Sequence, residues 1–146
     1  MARKAGFNLT EATLDGQRVY TVGEANGTLP WLVTRLEQIK ASRKELEAAD
    51  VARRTMVRMS RNRDSREYAS RIREAEDVLR DGQAALRQLV NEVIDRDIQL
   101  RDLDTGLVDF PGQREGRDVW LCWRLGEPAV EYWHEVDRGY SHRKPL

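Results

Sequence analysis

The sequence predicts an α+β chain: a long antiparallel two-helix hairpin, coiled-coil-like, with a small antiparallel β-sheet from its C-terminal third and an N-terminal β-hairpin in front. Three observations predict it. Tyr68, Ile72, Ala75, Leu79, Gly82, Leu86, Leu89 and Val93 recur at spacings of three and four, the heptad seam of a helix that pairs with another. After Asp95 the apolar period drops to two, in short runs divided by Gly, Asp and Pro. Charged residues make up 34% of the 146 against 40% hydrophobic, a balance that suits long solvated helices better than a thick globule.

Residues 1–20 read as an arm. Asp15-Gly16 lies between two short extended runs from Phe7 to Tyr20, a two-residue hairpin signal. The helical hairpin spans 21–96. Thr21 with Glu24 fits a capping box, and Ala25, Leu29, Leu32, Leu36 and Ile39 line one face behind it. Pro30 has no amide to donate, so a kink or a broken first turn is expected there. The pattern runs on through Leu46, Ala49, Ala52, Met56 and Met59 to a break at Asn62 and Asp64-Ser65, where Asp64 and Glu67 form a second cap pair. Small residues at Ala75 and Gly82 allow close approach of the helices.

Residues 97–146 make the sheet and tail. Four strands are expected, at 98–103, 107–111, 117–125 and 130–136, with turns at 104–106, 112–116 and 126–128. The third strand is apolar on both faces and so should be covered on both. All 146 residues are expected to form one domain. A lone two-helix hairpin of this length buries little apolar area, so a homodimer is expected.

Formal net charge is zero, so no global field draws the chain to nucleic acid or membrane. No apolar run approaches the ~18–20 residues of a spanning helix, and no apolar stretch follows the first charges as in a signal peptide. Cys122 is the single cysteine, which excludes an intramolecular disulfide. A cytoplasmic location is expected.

Chemistry concentrates in Asp118–Glu127 and Tyr132–Glu135, which hold three of the four tryptophans, the cysteine and one of the two histidines. The two-residue period puts Tyr132 and His134 on one face and Trp133 on the other. His134 suits proton transfer or ligand contact, with Asp109 and Glu127 as partners, though a half-buried structural histidine is the commoner role. Trp133, Arg124 and Arg143 complete the set of ligand-binding candidates as apolar wall and orienting charges. A metal would draw on His134 with Asp109, Glu127, Glu135 or Cys122. No His-Glu-x-x-His or Cys-x-x-Cys spacing is present, so no metal and no cofactor is expected. Cys122 shares a face with Trp120 and Arg124 and reads as a small buried hydrophobe. A separate arginine-rich tip at 53–73 makes Arg54, Arg58, Arg61, Arg63 and Arg66 candidates for an anionic partner, a solvated tip being the commoner reading.

Several motifs occur together: Tyr20-Thr-Val, Glu24-Ala-Asn26, Leu29-Pro30, Arg101-Asp-Leu103, Gly106–Pro111, Cys122–Glu127, Tyr132-Trp-His134 and Arg143-Lys-Pro145. In these the chain resembles the bacterial family catalogued as domain of unknown function 2203, from about residue 20 to the end. The resemblance implies a fold and no mechanism.

The unbroken seam, beside the lack of a catalytic motif, favours a non-catalytic oligomeric interaction protein with a ligand or partner surface at the β end. The alternatives are a small-molecule-binding protein or enzyme using Asp109, Glu127 and His134, and anionic-partner binding through the arginine tip, with nucleic acid the less favoured partner.

Overall fold

The computed structural model describes residues 16–61 and 65–146. The expected N-terminal hairpin therefore falls, apart from residues 16–20, outside the described residues, as does Asp64 of the second cap. The chain divides into two compact units: residues 37–90, and the remainder, which carries the sheet.

Helix α1 (Val22–Ser60) starts where its cap dictates. The Thr21 amide donates to Glu24 Oε1 at 3.0 Å and the Glu24 amide to Thr21 Oγ1 at 3.0 Å, a reciprocal capping box. The expectation of a broken first turn at Pro30 is corrected: α1 is continuous through it. Its missing N–H costs one helical bond, but Ala25, Leu29, Leu32 and Leu36 on the same helix are all buried, and that packing outweighs the loss.

Helix α2 (Ser65–Ile94) buries the expected stripe. Tyr68, Ile72, Ala75, Leu79, Gly82, Leu86, Leu89 and Val93 are each buried or half-buried, and nearly every residue between Tyr68 and Leu89 that is not in the stripe is exposed. Leu46 of α1 lies over Gly82, where an added Cβ would stand 2.6 Å from Leu46 Cδ2. The glycine is thus a close-approach site that offsets its poor helix propensity.

The sheet has five strands, β1 (Gln99–Asp102), β2 (Leu107–Arg114), β3 (Arg117–Arg124), β4 (Tyr132–Glu135) and β5 (Lys144–Pro145), in sequence order and antiparallel throughout. Two details differ from expectation. β2 runs on to Arg114 and turns through Glu115 and Gly116 alone, both at positive φ (54° and 76°), the signature of a tight hairpin turn. The tail adds β5, a strand too short to show a period, with Pro145 tolerated at the sheet edge. Tyr20 bridges Gly112 in parallel and packs edge-on against Phe110, with 5.1 Å between ring centroids.

Register sorts the side chains. Val108, Phe110, Val119, Leu121, Trp123 and Trp133 share one face; Asp109, Pro111, Trp120, Cys122, Tyr132 and His134 share the other. In β3, Val119 to Trp123 are buried without interruption, so both faces are covered.

Candidate functional site

Asp109, Cys122 and His134 come from three successive strands. Asp109 pairs directly with Cys122 across β2 and β3, and His134 pairs with Trp120, one step along the same face from Cys122. Asp109 is 2% exposed, Cys122 1% and His134 1%. One ligand-capable atom from each lies within 4.8 Å of the others.

The hydrogen bonds fix most of the protons. His134 Nδ1 lies 2.9 Å from the Glu135 carbonyl, which can only accept, so Nδ1 carries a hydrogen. Nε2 faces Asp109 Oδ2 at 3.0 Å. With the carboxylate ionised, Nε2 donates as well and the ring is a cation. Burial works against that charge, but the bond and charge of Asp109 and the Glu135 carbonyl outweigh it and hold the His134 pKa above its usual value, with Arg101 opposing.

Arg101 completes the arrangement. The register of β1 shifts between Leu100 and Asp102, a bulge-like irregularity around Arg101. Its Nε donates to Asp109 Oδ2 at 2.9 Å, and its guanidinium lies 4.9 Å from the Trp120 ring centroid. Oδ2 thus takes two donors, while Oδ1, equally buried, has no hydrogen-bond partner. The Cys122 thiol, a weak donor, interacts with the carboxylate, but no hydrogen bond of good geometry reaches Oδ1. Burial pushes that thiol up to about 12, the Asp109 carboxylate adds to the rise, and Arg143 pulls the other way. Unligated Cys122 is therefore a neutral thiol at physiological pH and a poor nucleophile.

Glu127 joins the cluster through Arg143. Its Oε1 accepts from the Arg124 amide at 2.7 Å and from Arg143 Nη1 at 2.9 Å, and its Oε2 from Arg143 Nη2 at 2.8 Å. Arg143 is also stacked over Tyr132 and Tyr140, at 4.0 and 4.3 Å. Burial alone would raise the Glu127 pKa, but the bidentate Arg143 and the Arg124 amide hold it below the ordinary carboxylate value.

Of the residues proposed from sequence, Asp109 and His134 meet directly, with Glu127 and Arg143 forming an adjoining clamp. Arg124 contributes its backbone amide, while its side chain is exposed and reaches towards Tyr140. Trp133 belongs to the opposite face, paired with Leu121 between the cations of Arg114 and Lys144. Arg101 was not among the candidates; its one sequence signal was membership of the Arg101-Asp-Leu103 motif.

Two grooves are found among the described residues. One, of about 480 Å³, is lined by Asn26, Leu29, Pro30, Val33, Trp123, Glu127, Pro128 and Ala129, and so reaches the Glu127 of the clamp. The other, of about 430 Å³, is formed by Val51, Arg53, Arg54, Val57, Arg58 and Arg61. There Arg53 and Arg54 are paired with Asp50, and Arg58 reaches Thr55. Arg66 is exposed, and Arg63 lies outside the described residues.

The chain belongs to the family described as Uncharacterized conserved protein (DUF2203), whose model matches residues 18–146. No curated protein and no solved structure matches it. Among the described residues, no helix is long and apolar enough to cross a membrane.

Proposed function

We propose that the chain is a small-ligand-binding protein whose site is the polar face of the sheet, with Asp109 as the central contact and His134 and Cys122 beside it. The observation that carries this reading is Asp109 Oδ1, an unpartnered carboxylate oxygen in a side chain 3% exposed. Leaving a buried acceptor unpaired costs ~1–3 kcal/mol, more when it is charged, and apolar side chains would pack a sheet interior without that cost. A ligand offering a positive charge or a hydrogen to Oδ1 would remove it. His134 could then exchange a proton with what is bound, which is general acid–base chemistry.

The test is the melting temperature of the protein and of Asp109→Asn in the presence of divalent metal salts, alkylamines, guanidinium compounds and, as controls, phosphate and acetate. The reading expects at least one cationic or donor class to stabilise the native protein and to leave Asp109→Asn unmoved. An absence of any Asp109-dependent shift would return the cluster to the role of a core ion network.

A second reading, assembly as a homodimer, has its own supporting observation. Within residues 37–90 only Ile39 and Leu79 are fully buried hydrophobics among the described residues, while Val51, Met59 and Val78 are 45–62% exposed. A second copy laid on the seam would cover what the hairpin leaves half-buried. Light scattering over a wide concentration range checks this, and a constant monomeric mass overturns it.

A further inference from the structure

We infer that Asp109, Cys122 and His134 form a buried site for one divalent transition-metal ion of the zinc class. The inference rests on the ligand-binding reading above and names its ligand.

Geometry comes first. Zinc bonds of ~2.0–2.3 Å in a tetrahedral arrangement place ligand atoms roughly 3.3–3.8 Å apart. The three candidate atoms already lie within 4.8 Å of one another, on neighbouring strands whose register fixes their backbones. Small side-chain rotations close the remaining gap.

The surroundings of each donor are those of a metal ligand. His134 Nδ1 donates to the Glu135 carbonyl, which directs Nε2 into the cluster. Asp109 Oδ2 is held by Arg101, while Oδ1 has no hydrogen-bond partner, so the carboxylate keeps an oxygen to offer an ion. Cys122 lies within the influence of Arg143, whose charge is matched by the bidentate Glu127.

The donor set selects the ion. A thiolate, an imidazole and one carboxylate oxygen suit zinc, and disfavour magnesium and calcium, which take oxygen ligands. Charge balances as well. The entering M²⁺ displaces the thiol hydrogen and the hydrogen between His134 Nε2 and Asp109, both released to solvent as protons, so the net charge of the buried cluster is unchanged. Of the cations near the cluster, Arg101 is already committed to Oδ2 and Arg143 to Glu127. All three ligands are almost fully buried, and three protein ligands leave a fourth position for water or a small anion.

The experiment titrates the full chain, purified in chelator and then freed of it, with cobalt chloride followed by zinc chloride. Cys122 is the only cysteine, so a thiolate-to-cobalt charge-transfer band can come from no other residue. The expected result is a band that saturates at one equivalent, disappears on adding zinc, and needs at least about tenfold more cobalt in His134→Gln and in Asp109→Asn. No band in excess cobalt overturns the inference, as does a band unaltered in both variants; should the variants not fold, the native titration decides alone. No metal binding, together with an Asp109-dependent melting shift from amines or guanidinium compounds, overturns the metal and leaves the ligand-binding reading standing. No shift from any probe overturns both.

Discussion

Removing Asp109 takes a shared acceptor from His134 and Arg101 at once, because both bond to its Oδ2. For the metal-free protein, Asp109→Ala is therefore expected to cost about 3–5 kcal/mol in urea unfolding at neutral pH. A loss below ~1 kcal/mol, the size of an exposed pair, would mean that the cluster is not ionised as its hydrogen bonds indicate. Glu127 allows a separate pH test. Its folded pKa is depressed, so its contribution is present above the unfolded value near ~4.3 and is lost as pH falls through the folded value. The unfolding free-energy difference between the native protein and Glu127→Gln should stay constant above about pH 5 and shrink below it; a difference that grew on acidification would contradict the Arg143 clamp. Asp109 and His134 were legible because an acid and a histidine on adjacent alternating strands point to one face once the parity is set. Cys122 reads from the sequence as a small buried hydrophobe, and linear ligand spacing is blind to its neighbours because such spacing describes ligands on one element. Asp109, Cys122 and His134 each come from a different strand, and only the cross-strand register brings them together. Arg101 depended on a register shift that no pattern of residues announces.

At the scale of elements, Gly82 separates two effects. In Gly82→Ala the new Cβ meets only the mobile end of Leu46, and about 1 kcal/mol of helix propensity is gained. Stability should stay within ~1 kcal/mol of native. Gly82→Leu has no such room and should lose ~1–3 kcal/mol; urea unfolding followed by circular dichroism distinguishes the two, and a neutral Gly82→Leu would place the helices further apart than Leu46 implies. Most of the elements were legible for the same reason that this glycine matters. A heptad stripe and a capping box are local patterns with a fixed period, and both hold to the residue. The departures arise where a long-range contact overrides a local rule. Pro30 does not break α1, because the helix buries Leu29, Leu32 and Leu36 around it, and β5 pairs along the edge that β4 offers.

Across the whole molecule the core is unevenly distributed, and that makes cooperativity itself measurable. Nearly all fully buried hydrophobics among the described residues belong to the unit that carries the sheet, and residues 37–90 contribute only Ile39 and Leu79. Stability follows buried apolar area, so an isolated copy should open first in its helical unit. The probes separate cleanly, since Trp31, Trp120, Trp123 and Trp133 all belong to the sheet-bearing unit. Tryptophan fluorescence therefore reports that unit, while the helical signal in circular dichroism is dominated by α1 and α2. In dilute solution the circular-dichroism transition should precede the fluorescence transition, a departure from two-state behaviour. If the seam is covered by a second copy, raising the concentration should bring the two transitions together and shift the earlier one upwards, as mass action requires. Coincident transitions at every concentration would mean that the helical unit is stabilised within a single chain, and the argument for assembly drawn from its thin core would fall.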